Sequence, residues 1–237
     1  MEDVSLSAYF QRLGLPESAW HIGPEHPGLE ELGLRLLAST AHARVLEFGV
    51  QSGGFTAPVV LGSAHRRGFS YVGVDNLEYT NSVPLRLIAD YLQLRGVGDR
   101  VRFIEGDSSA VLRSLGPDVY DLILLDHHKP KYPVDLYRIC ARGLLSADGV
   151  ILLHDVLSHA AEAWSVCKRV CRAFGYEWTI DADVSQGAAI VRRGSMNGSK
   201  LDRAMVHAEV VARWTAHASV VRSRRAAGRL LRSAGWR

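Results

Sequence analysis

A chain of 237 residues that is 47% hydrophobic and 22% charged can bury a substantial core, which excludes a disordered or fibrous chain. No apolar run approaches the ~20 residues of a membrane-crossing helix, and three cysteines make no disulfide framework. The net charge of +3 is uneven: residues 200–237 hold 9 Lys and Arg against 2 Asp and Glu, leaving 19 against 23 before them, so a mildly acidic body carries a basic tail.

The opening "MEDVSLSAYFQRLG" is acidic and lacks the apolar core of a secretory signal, and a reducing cytoplasmic setting is expected for the free cysteines. Residues 1–40 form an expected helical cap, with "PGLEELGLRLLAST" (27–40) as its amphipathic helix. Buried strands follow at "ARVLEFGV" (43–50), "FSYVGVD" (69–75), "RVRFIEGD" (100–107), "YDLILLD" (120–126) and "GVILLHD" (149–155), each short, rich in Val, Ile and Leu, and bounded by turn residues.

Between them, "PLRLIADYLQLRG" (84–96), "YPVDLYRICARGLL" (132–145) and "AAEAWSVCKRVCRAFG" (160–175) have helical spacing. In the last, Cys167 and Cys171 share a face without zinc-type partners. "EWTIDA" and "QGAAIVRR" read as two closing strands, the final one antiparallel because its connection is too short for a crossover helix. Alternating strands and helices imply an α/β domain over 1–194 with a mostly parallel sheet covered on both faces. Beyond "GSMNGS", residues 195–237 form a basic helical extension.

Ligands of such sheets bind at the carboxyl ends of the strands. Strand one ends in "LEFGVQSGG", placing Glu47 before Gly49, Gly53 and Gly54. Glycines there let a backbone approach a ligand, but Gln51 stands where a dinucleotide fingerprint has its middle glycine. A carboxylate beside the turn suits an ammonium or sulfonium rather than a pyrophosphate. Asp75 and Asn76 end strand two, where an acid can accept both ribose hydroxyls, and Asp107 and Ser108 follow strand three at the position of an adenine edge. An acidic group after each of three strands fits adenosine without phosphates, and S-adenosylmethionine (SAM) fits better than NAD. Strand four runs into "LLDHHKPKY" (124–132), which taken alone is a solvated turn, a metal site or an acid/base device.

Taken in order, "VLEFGVQSGG", "YVGVDN", "EGDSS" and "LLDHHKPKY" resemble a class I SAM-dependent methyltransferase, and more narrowly the metal-dependent catechol and caffeoyl-CoA O-methyltransferases. The resemblance covers residues 20 to 193 and implies a Rossmann-like seven-stranded sheet. It implies that Glu47 and the 49–54 turn face the methionine moiety, that Asp75 holds the ribose and that Asp107 and Ser108 hold the adenine. It also implies that His127 packs near the cofactor, that Asp126, His154 and Asp155 ligate a divalent cation (Mg or Mn), and that Lys129 is the general base; the cation and desolvation are expected to lower its pKa. "HIGPEHPG" (21–28) is similar, more weakly, to the segment that closes over the cofactor, where Trp20 and His21 could act as a lid.

Three departures bear on the substrate. His154-Asp155 replaces the family's usual Asp-Asn, and an imidazole ligand favours Mn, Fe, Co or Zn over Mg. His128 stands where catechol enzymes place an aromatic wall, and it competes with Lys129 as base, as in O-methyltransferases of sugars and other secondary metabolites. Phe55 replaces a small polar residue at the methionine end. Lys131 reads as a solvated lysine and Tyr132 as the start of a helix. The expected activity is methyl transfer to a small-molecule hydroxyl, catechol-like first. A rival of another class is an RNA-binding SAM protein using the basic tail, although no Asn/Asp-Pro-Pro-Tyr signature occurs. The tail otherwise reads as a solvated helix face or a homodimer contact.

Overall fold

Runs of Val, Ile and Leu without an alternating polar face can be satisfied only where both faces of a strand are covered. In the computed structural model, which describes residues 4–20, 28–77, 83–195 and 198–233, those runs form one seven-stranded sheet. Its strands are β1 (Arg44–Phe48), β2 (Ser70–Asp75), β3 (Val101–Glu105), β4 (Tyr120–Leu125), β5 (Leu145–His154), β6 (Tyr176–Asp181) and β7 (Ala188–Arg193). They lie in the order β3-β2-β1-β4-β5-β7-β6. The first five are parallel, and β7 is inserted antiparallel between β5 and β6.

The central strand β4 is buried at every residue. By contrast β3, expected to be buried, is partly exposed, because it is the edge of the sheet. The fifth strand begins at Leu145 rather than Gly149, with an irregular register against β4 between Tyr120 and Leu122. The preceding helix stops correspondingly early, at Arg142, where Gly143 takes a left-handed φ of 65° and its N–H closes onto Cys140 and Ile139.

Nine helices are present among the described residues. On one face lie α1 (Leu6–Arg12), α3 (Leu29–Ala38), α4 (Thr56–Ser63) and α5 (Leu85–Leu94), closing a core around Phe10, Leu37, Val59 and Ile88. A short α2 (Glu17–Trp20) follows α1. On the other face lie α6 (Ser108–Ser114), α7 (Tyr132–Arg142), α8 (Ala161–Phe174) and α9 (Lys200–Ser233), packed around Leu112, Leu136, Val166 and Val206. Two helices add to the expected set. The α4 sequence "TAPVVLGS" has weak helix propensity and forms because Ala57, Val59 and Val60 are buried. The short α6 starts where a strand end was expected, since the Asp107 carboxylate accepts the N–H of Ala110 as an N-cap.

Cys167 and Cys171 share the buried face of α8, and burial pushes the Cys171 thiol up to about 12. Through Val206 and Val210, α9 enters the same core as α8. No helix of the described residues is long and apolar enough to cross a membrane. Residues 21–27 of the expected lid segment, His21 among them, lie outside the described residues.

Candidate functional site

Parallel strands leave their carboxyl ends on one edge of the sheet, and there the turns after β1 to β4 enclose one pocket. Gly49 and Gln51 come from the first turn, Asp75 and Asn76 from the second, Gly106 and Ser108 from the third. The segment after β4 contributes Asp126, His127, His128 and Lys131.

The first turn is tightly wound. Gly49 has φ 101° and Gln51 φ 48°, and a Cβ at Gly49 would stand 2.1 Å from the Asp126 carbonyl oxygen. That near-contact lets β1 and β4 leave the sheet side by side. The Gly49 N–H donates to Val74 at 2.9 Å and the Asp126 N–H to Phe48 at 2.8 Å. Asp75 fastens the second turn to the first: its two oxygens accept the N–H groups of Gln51 at 2.8 Å and Leu77 at 2.7 Å. One lone pair on each oxygen is then still available, as a diol-binding carboxylate requires.

Several expected cofactor residues do not line this pocket. Glu47 is 1% exposed and accepts hydrogen bonds from Thr56, at 2.9 Å, and from the Tyr71 hydroxyl. Burial pushes its carboxyl well above the usual range, and the charges of Asp126 and Asp75 add to this against the Thr56 bond. It props the turn from beneath. Gly53, at φ 81°, faces Leu6 and Ile88 in the core, and Gly54 is likewise outside the lining. Phe55 points to α3, within 3 Å of where a Cβ on Gly33 would be, and so leaves the methionine end. Asp107 caps α6 and binds the Lys131 ammonium, which outweighs its burial and holds its carboxyl below the usual range. Lys131 is not the solvated lysine expected: it is 9% exposed, and its Nζ lies 5.8 Å from the Trp214 ring centre.

His127 does pack in the pocket wall, stacked on Tyr132 with ring centres 5.3 Å apart and donating Nε2–H to Asp135 at 2.7 Å. Sequence reasoning passes over Asp135 and Gly106, and it gives Lys131 no part in the pocket. Asp135 had a signal, a charge on the apolar face of α7, which a buried hydrogen-bond network explains.

Asp126, at the end of β4, and His154 and Asp155, at the end of β5, converge because the two strands are hydrogen-bonded neighbours. One donor atom from each lies within 4.8 Å of the others. Asp155 holds φ 62°, a left-handed turn that points it back toward the cluster. His154 is fully buried, with Nε2 at 2.9 Å from the Ser185 carbonyl and Nδ1 3.2 Å from Asp126 and 3.3 Å from Asp155. Lys129 Nζ reaches the same cluster, 2.7 Å from Asp126, 2.7 Å from Asp155 and 3.0 Å from the Tyr132 hydroxyl. Tyr132 thus both starts α7, as expected, and holds this lysine.

These contacts fix the charges. Burial disfavours the Asp126 carboxylate, but Lys129 and His154 overcome it and hold the carboxyl far below its usual range. Burial likewise disfavours the Lys129 ammonium, and Asp126, Tyr132 and Asp155 push its pKa up instead. Among these protein groups the expected lowering of Lys129 is therefore reversed. His154 is raised too, burial being outweighed by its hydrogen bond to Asp126.

A family model described as a methyltransferase domain matches residues 46–156, which hold all of the pocket residues named above. No curated protein matches the chain. Among solved structures, the SAH-bound methyltransferase PaMTH1 of Podospora anserina is 22% identical, with a TM-score of 0.59 over 82% of this chain and 89% of that one. The O-methyltransferase of Bacillus cereus, in complex with SAH, is 17% identical, with a TM-score of 0.59 over 81% and 91%. TomG of Streptomyces achromogenes, an O-methyltransferase involved in tomaymycin synthesis and bound to SAM, is 16% identical, with a TM-score of 0.55 over 80% and 88%. The fold is the Rossmann-like class I methyltransferase fold.

Proposed function

We propose, from the premise that residues 46–156 carry a methyltransferase domain, that this chain moves a methyl group from SAM to a hydroxyl of a small molecule with the help of a divalent cation. The observation that carries this reading is the convergence of Asp126, His154 and Asp155 beside Lys129 at the rim of the pocket. In the reaction the sulfonium S–CH3 bond breaks, an O–CH3 bond forms, SAH leaves as a neutral thioether, and the hydroxyl proton passes to a base. The chain's task is mainly to align donor and acceptor. Asp75 suits the ribose diol. Gly49 lets the backbone come close at the methionine end.

The donor set suits a cation. Two carboxylates and one imidazole converge, and among the described residues Asp155 Oδ1 is buried without a hydrogen-bond partner. The Ser185 carbonyl, by accepting Nε2–H, leaves the lone pair of a neutral His154 on Nδ1, the side that faces both carboxylates. Such a set favours Mn, Fe, Co or Zn over Mg. A cation there would polarise an acceptor hydroxyl and lower its pKa. Two vicinal oxygens chelate best, which supports a catechol or a vicinal diol.

A second reading assigns the base to His128, which lines the same pocket, and the acceptor to a secondary-metabolite or sugar hydroxyl. It is favoured by the pairing of Lys129 with two carboxylates, which keeps that lysine protonated. The RNA-binding alternative is weakened by α9 itself: Arg203 donates to the Ala173 carbonyl, and Arg213 pairs with Glu209 and Glu162. The test is methyl transfer from SAM to a panel of catechols and vicinal diols, with EDTA and then added Mn or Mg. Loss in EDTA and recovery with metal is expected. Undiminished turnover in EDTA would remove the cation from the reading.

A further inference from the structure

We propose that Trp214, on the C-terminal helix α9, is a positioning residue of the cofactor pocket, acting through Lys131, which forms part of the pocket wall. This rests on the SAM-binding reading above. Lys131 shares that wall with Gly106 and Ser108. It is also the N-cap of α7, where the helix dipole disfavours a positive charge. Its long flexible stem lets the ammonium swing unless other elements of the fold hold it. Two of them do. Asp107, at the start of α6, accepts a hydrogen bond from Nζ, and the ring centre of Trp214 lies 5.8 Å from the same nitrogen.

Asp107 alone is a weak anchor, since its side chain is 44% exposed and ion pairs open to water contribute little. An aromatic ring over the ammonium adds an attraction that grows as water is excluded. The helix α9 is held so as to deliver that ring. Val206, Val210 and Trp214 recur every four residues, which makes one helical stripe, and all three pack on the core that α7 and α8 share. Arg169 of α8 donates to Glu209 at 2.9 Å, and Arg213 Nε lies 3.3 Å from the same carboxylate. These contacts fix the helix just before Trp214. The matched methyltransferase domain ends at residue 156, so the ring reaches the pocket wall from an element outside it. A wall residue already held in place spares the ligand the cost of ordering it.

The test is a double-mutant cycle on SAH binding, read by calorimetry, with wild type, Trp214→Leu, Lys131→Met and the double variant. Trp214→Leu should weaken SAH binding about three- to tenfold. In the Lys131→Met background the same substitution should change nothing, because the residue it acts through is gone. Trp214→Phe keeps a ring face toward Nζ and should recover most of the affinity. Coupling is reciprocal, so bound SAH should slow amide exchange in the turn around Trp214 in wild type but not in Lys131→Met. That measurement decides the matter even if Trp214→Leu does not fold. The inference is overturned by a Trp214→Leu that binds SAH as wild type does, by equal losses in both backgrounds, or by a Trp214→Phe as weak as Trp214→Leu. Exchange around Trp214 that SAH leaves unchanged in wild type, or slows equally in Lys131→Met, also overturns it. A wild-type protein that binds no SAH overturns the SAM reading itself.

Discussion

Lys129 Nζ lies 2.7 Å from Asp155 Oδ2, although the lysine follows β4 and the aspartate follows β5. The same ammonium is 2.7 Å from Asp126, so a single positive charge sits between two largely buried carboxylates. A cation entering this cluster has to share those oxygens with the lysine or displace it.

Lys129→Met should therefore destabilise the protein at neutral pH by about 1–3 kcal/mol, since two carboxylates are left facing each other. The same variant should gain more thermal stability from Mn2+ than wild type does, because the internal competitor is gone. Melting curves with and without the ion decide this. An equal gain in both proteins would show that lysine and cation do not share the carboxylates.

His154→Phe removes the nitrogen that faces Asp126 and Asp155 while filling most of the buried space. Mn2+ or Co2+ affinity, read by titration calorimetry, should fall tenfold or more, about 1.4 kcal/mol per tenfold. Mg2+ affinity should change less, since magnesium relies on oxygen ligands. An equal fall for all three ions would count against imidazole ligation.

Gly49→Ala should destabilise by about 2–4 kcal/mol in denaturant unfolding, combining left-handed strain with overpacking. The added Cβ meets the Asp126 carbonyl, so the turns after β1 and β4 must separate. Nearly neutral behaviour would show that they separate freely.

Glu47 gives a pH prediction. Its pKa is higher in the folded than in the unfolded chain, so between the two values the native state binds more protons. Stability then falls as pH rises through that window, by at most about 1.4 kcal/mol per pH unit. Glu47→Gln keeps an acceptor for Thr56 and Tyr71 and removes the titration, so its melting temperature should decline less between pH 5 and pH 9. Parallel declines in both proteins would assign the effect to other groups.

Much of the architecture was legible along the chain. Seven apolar runs of strand length, separated by helical periodicity, became the seven strands, and the short last connection correctly announced an antiparallel β7. Misjudged boundaries had local causes. The strand read to Asp107 ends at Glu105 because that aspartate caps α6, and the helix read to residue 145 ends at the left-handed Gly143. Low propensity hid α4, which tertiary burial stabilises.

What the sequence by itself determined was the set of strand ends from which a pocket is built: the turns after β1 and β2 and "LLDHHKPKY" all reach it. Strand periodicity and parallel order suffice for that, since they put every carboxyl end on one edge. Which side chains face that pocket was decided only in three dimensions. Glu47 turned beneath the sheet to Thr56 and Tyr71, Asp107 turned to Lys131, and Asp135 joined the pocket wall through His127. The reason is physical: a buried polar group goes where its hydrogen bonds can be completed, and its partners come from other elements of the fold.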